Sequence, residues 1–459
     1  MQRGLEWELA FLTSFSVKPA WSEEPDLEAI KNVVSTVLDL PQEELSVEFY
    51  AQGALNKVYK VIERTRQKVY IMRVSLPVDP KSKTLAEVNT LAFLEKQTNV
   101  PVPRVLAYND FTNNAIGFEW ILMSFVPGRP LRSCWHNMDL LQKRSLILEI
   151  VGYHVQIFRN QFPGIGALKN HEQSALEIGR IVSIPFWWMS RADASAHKGP
   201  FENAEQWLSA MLDIMQTDTM RLIKLECEKP IDEQEDFSNV LEVIKRFQKL
   251  LPDVFERMPK SAMGFESKET TILQHPDLSF SNIMVDPETF KITGVIDWEN
   301  VSALPVQAAC QLPHLLGHYQ LPRYEAPQPS DYADCNPSVD TEYAGGPLKK
   351  SDIYYEHLLE YEQTQLQAFF LDEMSRICPE WISHYELGKD LRDLVDAVSN
   401  ADNNWSYRYV VPWLDAVENG ERRSLRECWE ETQRPPVDDD SDFSYDENDY
   451  VPDPDEEEN

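Results

Sequence analysis

The amino-acid sequence predicts an α+β protein, with a small β-rich part followed by a larger, mainly helical part. Short runs of alternating apolar and polar residues, bounded by turn residues, occupy the region up to about Val126 and are typical of strands. Beyond it, residues 140–158 keep apolar side chains on a helical period, and further helices are predicted from about Ser351 to Glu418. Strands in one part of a chain and helices in another are typical of the α+β class.

The composition is that of a globular protein that can bury substantial cores. Its 459 residues are 42% hydrophobic and 11% aromatic, which excludes general disorder and is enough for two or three packed units. No apolar run approaches the roughly 20 residues that cross a bilayer, so no membrane association is expected. The first residues mix acidic and apolar side chains and fit neither a secretory signal nor an Arg-rich transit peptide. A cytoplasmic location is therefore expected.

The chain is strongly acidic, with a formal net charge of −33, and its C-terminus carries a dense acidic run. From Asp438 to Glu458 there are twelve acidic residues and no Lys or Arg. Residues 431–459 are predicted to form a disordered acidic tail, because they cannot bury enough apolar surface to offset their ordering entropy. The tail is expected to aid solubility, and contact with a basic partner is an alternative. The acidic balance argues against nucleic-acid binding, which needs a basic surface.

The most informative motif runs from His275 to Asn282 and is followed, after a predicted strand pair, by Asp297. Residues 283–296 are predicted to form two apolar strands joined by a polar turn, which would place Asn282 and Asp297 together at one end of a hairpin. Asp277 can orient or deprotonate a hydroxyl, and Asn282 and Asp297 offer the hard oxygen ligands that Mg²⁺ prefers. Each residue alone could be a turn former, but the set at this spacing favours phosphoryl-transfer chemistry.

These residues resemble the catalytic loop and metal-binding segment of the aminoglycoside phosphotransferase and choline kinase group, which are small-molecule relatives of the protein kinases. The pattern is similar to that of uncharacterised fungal phosphotransferase-like proteins. The resemblance implies a bilobal protein-kinase-like fold, with a small β-rich N-lobe and a larger, mostly helical C-lobe. Residues 41–126 would form the nucleotide-binding N-lobe and residues 127–430 the catalytic and substrate-binding C-lobe, after a helical N-terminal extension over residues 1–40. ATP and Mg²⁺ are the implied cofactors, with Asn282 and Asp297 as the metal ligands.

Upstream segments carry the same resemblance. Residues 47–61 are predicted to form two strands, and the turn between them resembles the loop that covers the phosphates in that family. By this resemblance Gly53, Asn56 and Lys57 bind the nucleotide. Arg73 takes the place of the lysine that usually contacts the α and β phosphates, and Glu87, on a predicted helix, is its expected partner. Arg binds phosphate through a planar fork and Lys as a point charge, so this departure leaves the level of catalytic activity open.

A buried strand that ends at a Pro-Gly pair is predicted within residues 118–128. It resembles the hinge that joins the two lobes in the same family. The resemblance places the backbone of Met123, Ser124 and Val126 against the adenine base.

Together these motifs predict an ATP-dependent kinase that transfers the γ-phosphoryl group to a hydroxyl of a small molecule. Asp277 would orient the acceptor hydroxyl, while Arg73 held by Glu87 would fix the phosphates. Two other classes are open. Arg73 and the single-glycine loop favour a nucleotide-binding pseudokinase or scaffold, whereas a protein kinase is disfavoured because no Ala-Pro-Glu segment follows Asp297.

A cationic acceptor is one further alternative, suggested by the aromatic residues of the second half of the chain. A cation over aromatic rings gains roughly 0.5 to 2 kcal/mol, depending on how far it is desolvated. Core packing is the more common role for tryptophans in helical segments. The candidates for such a cage are Trp187, Trp188, Trp381, Trp405 and Trp413.

Overall fold

The computed structural model describes residues 4–9, 17–169, 177–227, 237–258, 263–265, 268–317, 321–332 and 350–433. All but the first three residues of the predicted tail over 431–459 lie outside the described residues. Two lobes are present, one built on a five-stranded sheet and the other mainly helical. The predicted bilobal α+β fold is therefore confirmed.

The N-lobe is an antiparallel sheet with strand order β3-β4-β5-β7-β6, covered by one helix on each face. Its elements, with the segment that precedes them, are β1 (Leu5–Leu9), β2 (Val17–Trp21), α1 (Leu27–Leu38), β3 (Leu45–Gln52), β4 (Asn56–Glu63), β5 (Lys68–Ser75), α2 (Ser82–Gln97), β6 (Val105–Asn109) and β7 (Glu119–Ser124).

Successive residues of each central strand face opposite sides of this sheet. One face packs against α1, where Tyr59 of β4 and Met72 of β5 contact Ile30 and Val34 in a single core. The opposite face carries Arg73 and Met123 and turns towards α2 and the C-lobe. The N-lobe therefore presents one row of side chains to the cleft between the lobes.

The expectation of a helical N-terminal extension over residues 1–40 is corrected in two respects. Strands β1 and β2 pair as an antiparallel hairpin before the helix begins. Helix α1, capped at its start by the Asp26 side chain, buries Ile30 and Val34 against the sheet and so belongs to the N-lobe core. These two residues are one helical turn apart, which gives α1 an apolar stripe that needs a partner surface.

The C-lobe contains most of the helices and several short strands. The helices are α3 (Leu140–Arg159), α4 (Ile184–Trp187), α5 (Ala204–Glu226), α6 (Ser238–Arg257), α7 (Val306–Ala309), α8 (Lys350–Ile377), α9 (Pro379–Leu387), α10 (Lys389–Ser399), α11 (Tyr407–Glu418) and α12 (Leu425–Thr432). The strands are β8 (Arg129–Pro130), β9 (Phe162–Pro163), β10 (Leu168–Lys169), β11 (Glu177–Ile178), β12 (Met263–Phe265), β13 (Lys268–Gln274), β14 (Ile283–Val285), β15 (Ile292–Val295) and β16 (Ser302–Pro305).

Two large cores contain most of the buried apolar residues in the described part of the C-lobe. The first surrounds α3, and includes β13, β14, β15, α8 and α9. The second lies between α5, α6, α10 and α11. The predicted central helix is thus confirmed as α3, whose first turn is fixed by a capping box between Asp139 and Gln142. Because β13 to β15 belong to the first core, the catalytic motif between them stands on a rigid base.

The chain passes from the N-lobe to the C-lobe just after β7. Gly128 adopts φ +112°, and a Cβ there would lie 2.4 Å from the carbonyl oxygen of Val285. Only glycine fits this close approach of the crossover to β14. In the described part of the chain, no helix is both long and apolar enough to cross a bilayer.

Candidate active site

The candidate catalytic loop follows β13 and is anchored by His275. The Nε2–H group of His275 donates to the carbonyl of Ile296 at 3.1 Å, and Nδ1 accepts the N–H of Asp277 at 3.1 Å. Desolvation lowers the pKa of His275 to about 4, so the ring is neutral and Nδ1 can accept. The ring is mostly buried and borders a cavity of about 280 Å³ beneath the loop. His275 therefore ties the loop to the segment after β15.

Asp277 is held at the surface of the cleft by two neighbours. The Nδ2 group of Asn282 donates to Oδ2 of Asp277 at 2.9 Å and to the carbonyl of the same residue at 2.9 Å. Nδ1 of His314 lies 2.8 Å from Oδ1 of Asp277. The hydrogen bond to His314 lowers the pKa of Asp277 and raises the pKa of His314. Asp277 remains half-exposed, so its ionised carboxylate can receive a substrate hydroxyl.

The predicted hairpin brings Asn282 and Asp297 to the same end. Ile283 of β14 faces Val295 of β15, and the N–H of Ile296 donates to the carbonyl of Asn282 at 2.9 Å. Asp297 directly follows this closing bond and adopts φ +66°, in the left-handed region that Asp tolerates better than most residues. The prediction that these two residues meet at one end of the hairpin is confirmed, and their role as metal ligands stays a prediction.

Arg73 and Glu87 form the predicted ion pair. Arg73 projects from β5 into the cleft, and its Nη2 contacts Oε2 of Glu87, which is buried on α2. The other guanidinium nitrogen, Nη1, lies 3.6 Å from Oδ1 of Asp297. The pair therefore joins the N-lobe sheet and α2 to the end of the β14–β15 hairpin.

A second buried cation, Lys83, lies beside this pair. Helix α2 begins where Glu119 of β7 accepts the N–H of Lys81 at 2.6 Å, and this start directs Lys83 inward. The Nζ of Lys83 lies 2.8 Å from Oε2 of Glu299, and the side chain is only 2% exposed. We refer to Arg73, Lys83, Glu87 and Glu299 as the buried charge network. The sequence patterns gave no role to Lys83 or Glu299, although Lys83 stands one helical turn before Glu87.

The carboxylates near this network differ in their proton affinity. Burial raises the pKa of Asp297, and the neighbouring Glu299 adds to the effect. Burial would also raise the pKa of Glu299, but Lys83 and Arg73 outweigh it and hold that pKa below its usual value. Glu299 is thus ionised at neutral pH and already paired with a cation at 2.8 Å, whereas the nearest cation to Asp297 among the described residues, Arg73, lies 3.6 Å away.

The predicted phosphate-covering loop is only partly brought to the site. A Cβ added at Gly53 would meet no non-adjacent atom of the described residues within 4 Å, so the space above the loop is open. Asn56 faces the cleft and donates to Oε2 of Glu299 at 2.8 Å. The assignment of Lys57 to the nucleotide is corrected: it points to the other face of β4, where it pairs with Glu24 and lies 4.8 Å from the ring centre of Trp21. Adjacent strand residues face opposite sides, so Asn56 and Lys57 cannot both face the cleft.

The predicted hinge residues lie at the end of β7. The side chain of Met123 packs against Val88 and Ile121 on the cleft side of the sheet. The N–H of Ser124 donates to the carbonyl of Arg104 at 2.9 Å, so it is not available to a base. Within the described ranges the Val126 N–H has no hydrogen-bond partner. Val126 therefore offers a free donor at the position that the resemblance assigned to adenine recognition.

Residues 46–306 match the model of the family described as "Phosphotransferase enzyme family". This chain belongs to the phosphotransferase enzyme family. The matched range begins within β3 and ends at the start of α7, so it contains the buried charge network, the hinge and the catalytic loop. The predicted family is thereby confirmed.

Curated relatives of this phosphotransferase family member are fungal proteins. A subtelomeric hrmA-associated cluster protein of Aspergillus fumigatus is 28% identical over 297 residues, which cover 56% of this chain and 57% of the relative. Altered inheritance of mitochondria protein 9 of Meyerozyma guilliermondii is 22% identical over 294 residues, covering 57% of this chain and 48% of the relative. The chain thus spans about half the length of the curated relatives that it matches.

The name of the Meyerozyma guilliermondii relative ends in the word "mitochondrial", as does that of a Candida albicans relative that is 26% identical over 294 residues. The match to the Candida albicans protein covers 55% of this chain and 46% of that protein. These relatives contradict the cytoplasmic location expected from the sequence. That expectation was drawn from composition at the chain start, which does not by itself determine a compartment.

Solved structures of similar proteins include a choline kinase from Cryptosporidium parvum, with 13% identity and a TM-score of 0.40, covering 86% of this chain and 97% of that one. The spectinomycin phosphotransferase APH(9)-Ia, solved with ADP and spectinomycin, has 12% identity and a TM-score of 0.34, covering 90% and 99%. TM-scores below 0.5 do not establish a common fold, so the family assignment depends on the sequence match.

The oxygen atoms at the end of the β14–β15 hairpin fit Mg²⁺. Because Nδ2 of Asn282 is hydrogen-bonded to Asp277, the amide oxygen of Asn282 is left for a metal. Asp297 directly follows Ile296, whose N–H donates to the backbone carbonyl of Asn282, so the two residues stand at the same end of the hairpin. In the described part of the chain, no group of three or more His, Cys, Asp or Glu residues could hold a metal by itself. Mg²⁺ is usually held by one or two protein oxygens together with phosphates and water, so Asn282 and Asp297 suit it.

Proposed function

We propose that this chain is an ATP-dependent kinase that transfers the γ-phosphoryl group of ATP to a hydroxyl of a small molecule. The observation that best supports this proposal is that charged residues from both lobes lie close together in the cleft. Arg73 of the N-lobe sheet, paired with Glu87 of α2, lies 3.6 Å from Asp297 of the C-lobe. Asp297 in turn stands beside Asn282, which holds the half-exposed Asp277. Phosphoryl transfer needs this combination of a cation, hard oxygen ligands and a carboxylate near the acceptor.

In this mechanism the protein groups position the reactants and neutralise charge. The Arg73 guanidinium, fixed by Glu87, binds phosphate oxygens of the nucleotide. Asn282 and Asp297 would hold Mg²⁺, which supplies charge neutralisation at the phosphates when bound. Asp277, oriented by Asn282 and His275, accepts a hydrogen bond from the acceptor hydroxyl and directs its oxygen to the γ-phosphorus.

The acceptor is proposed to be a small hydroxyl compound, and the aromatic cage for a cationic acceptor has no structural support. Trp187, Trp381 and Trp413 are buried in three separate cores, and Trp188 packs against the same core as Trp187. Trp405 is 69% exposed and belongs to none of these cores. Core packing therefore explains the buried tryptophans. The absence of a nucleic-acid partner stays a prediction, as does a basic partner for the acidic tail, which falls outside the described residues.

One observation favours a second candidate, a protein that binds nucleotide without turnover. Arg73 is permanently charged and forms a planar fork, whereas the lysine usual at this position is a compact point charge. The Arg73 guanidinium contacts Glu87 on one side and lies near Asp297 on the other, so it has less freedom to follow the phosphates during transfer.

The test is phosphoryl transfer from labelled ATP, with label sorted into small-molecule and protein fractions of a cell extract. We expect the label in the small-molecule fraction, and we expect Asp277→Asn to abolish it with little change in ATP affinity. Asp286→Asn is a matched control, because Asp286 is an exposed acid in the turn of the same hairpin. Label in protein only would make this chain a protein kinase. Nucleotide binding without transfer would favour the second candidate.

The names of the relatives also support a mitochondrial location as a proposal for this chain. Fractionation of cells that express the full chain with a C-terminal tag would test it. Recovery of the protein only outside the mitochondrial fraction would refute it.

A further inference from the structure

Lys83 is a lysine buried at the boundary of the two lobes. Its side chain is 2% exposed, which is rare for lysine and costly unless the charge is paired. Its Nζ donates to Oε2 of Glu299 at 2.8 Å and to Oδ1 of Asn56 at 3.2 Å. Lys83 thus joins the first turn of α2 to the segment that carries Asp297 and to the start of β4.

The polar atoms around Lys83 form a connected hydrogen-bond network. Asn56 donates to Oε2 of Glu299 at 2.8 Å, and the hydroxyl of Ser75 donates to Oδ1 of Asn56 at 2.7 Å. Oε2 of Glu299 therefore lies within hydrogen-bond distance of both Lys83 and Asn56. All of these groups are buried. The arrangement fixes Glu299 on the side of α2.

Glu299 stands between two cations, and the distances show which one it engages. Its Oε2 lies 2.8 Å from Nζ of Lys83 but 3.9 Å from Nη2 of Arg73. The same Nη2 contacts Glu87. Each buried carboxylate of the network therefore has its own cation, Glu299 with Lys83 and Glu87 with Arg73.

We propose that Lys83 is a positioning residue of the nucleotide site, which holds Glu299 away from Arg73 and so leaves the guanidinium available to phosphate. This inference rests on the proposed function, because it assigns to Arg73 the phosphate contact. Without Lys83, Glu299 would be a buried carboxylate without its cation, and Arg73 is a cation within 3.9 Å of it. Glu299 would then compete with phosphate for Arg73, and the site would carry one more uncompensated negative charge.

A purely structural role is the alternative, in which the ion pair does no more than hold α2 in place. The chain offers a matched control for that role. Lys143 of α3 is also buried, and its Nζ lies 2.6 Å from Oε1 of Glu362 on α8. Breaking either pair leaves a buried carboxylate uncompensated and should lower the unfolding temperature. Only the loss of Lys83 should also weaken nucleotide binding.

The experiment measures the affinity of the full chain for trinitrophenyl-ATP in Mg²⁺, with thermal unfolding recorded on the same samples. The variants are Lys83→Met, Lys143→Met and the double variant Lys83→Met with Glu299→Gln. We expect Lys83→Met to weaken nucleotide binding by about tenfold, as is typical of residues that orient the groups in direct contact with a ligand. Lys143→Met should leave nucleotide binding unchanged. The double variant should recover most of the affinity, because Gln keeps the bond to Asn56 but no longer competes for Arg73.

Each result is decisive. Weaker binding by Lys83→Met without recovery in the double variant would mean that Lys83 touches phosphate itself, which overturns a role through Glu299. Unchanged binding by Lys83→Met would leave only the structural role. The double variant carries no uncompensated carboxylate, so it reports on the proposal even where Lys83→Met folds poorly. If the wild-type chain binds no nucleotide, the proposed function fails first, and the role of Lys83 fails with it.

Discussion

Lowering the pH from 7.5 to 5.5 should destabilise the protein through His275. The pKa of His275 is about 4 in the folded protein, because burial disfavours the charged ring, against an ordinary value of 6.5. In this pH range the unfolded chain binds a proton at His275 that the folded protein does not bind. A basic group whose pKa is lowered on folding therefore makes a contribution to stability that is lost as the pH falls below its pKa in the unfolded chain.

The size of this effect follows from the two pKa values. The difference in proton binding, integrated between pH 7.5 and 5.5, amounts to about 1.3 kcal/mol of lost unfolding free energy. The loss would approach roughly 3.4 kcal/mol below pH 4, where both states are protonated. Water in the cavity beside the ring would screen the charge, so these figures are upper values.

Urea unfolding at the two pH values, followed by tryptophan fluorescence, measures the effect in the wild type and in His275→Gln. The glutamine can still donate to Ile296 but does not titrate, so the variant should lose about 1.3 kcal/mol less than the wild type over this interval. His314→Gln provides a control of opposite sign. Asp277 raises the pKa of His314, so the stability from that pair is present at low pH and lost as the pH rises through the raised pKa. Equal pH dependence in the wild type and His275→Gln would refute a neutral, buried His275.

Three further outcomes are expected. Gly128→Ala should cost more than about 2 kcal/mol of unfolding free energy, because a Cβ would lie 2.4 Å from the Val285 carbonyl oxygen. Gly117 also has a positive φ but open space around it, so Gly117→Ala should cost only about 1 kcal/mol. Equal losses of the two variants in urea unfolding would contradict this account. Lys57→Ala should lower the unfolding temperature and leave ATP affinity unchanged, since this side chain faces away from the cleft; a weaker ATP affinity by calorimetry would contradict its placement. ATP at a hundredfold excess over its Kd should stabilise the folded protein by about 2.7 kcal/mol. Asp297→Ala should remove the Mg²⁺-dependent part of this stabilisation in thermal unfolding, and a stabilisation that persists in full would exclude Asp297 as a metal ligand.

Local patterns in the sequence predicted the elements that carry the site. The apolar runs around the turn at 286–290 predicted β14 and β15, and their pairing brings Asn282 and Asp297 to one end, as expected. The ion pair of Arg73 and Glu87 was predicted from the family resemblance, on segments whose strand and helix periods are clear. The α+β class followed from the same periods.

Contacts that depend on tertiary packing could not be predicted in this way. Lys83 and Glu299 are distant in sequence, and no local pattern links the first turn of α2 to the segment after β15. The error at Lys57 was of a different kind. Strand residues alternate between faces, so once Asn56 was assigned to the cleft the next residue had to face α1. The hairpin of β1 and β2 was missed because each strand has only five residues, so the alternation of apolar and polar side chains is short.

The buried charge network is better explained by ligand binding than by stability. Taking charged groups out of water costs about as much as their attraction returns, and buried ion pairs can commonly be replaced by apolar residues without loss of stability. Four such groups are nevertheless clustered where the two lobes meet, next to the partly buried carboxylate of Asp297. Two cations and three carboxylates leave the site with an excess negative charge, which by itself would repel a polyphosphate. A divalent cation bound at Asn282 and Asp297 would reverse that sign, so we expect nucleotide affinity to depend steeply on Mg²⁺. An equal affinity in EDTA would contradict this charge balance.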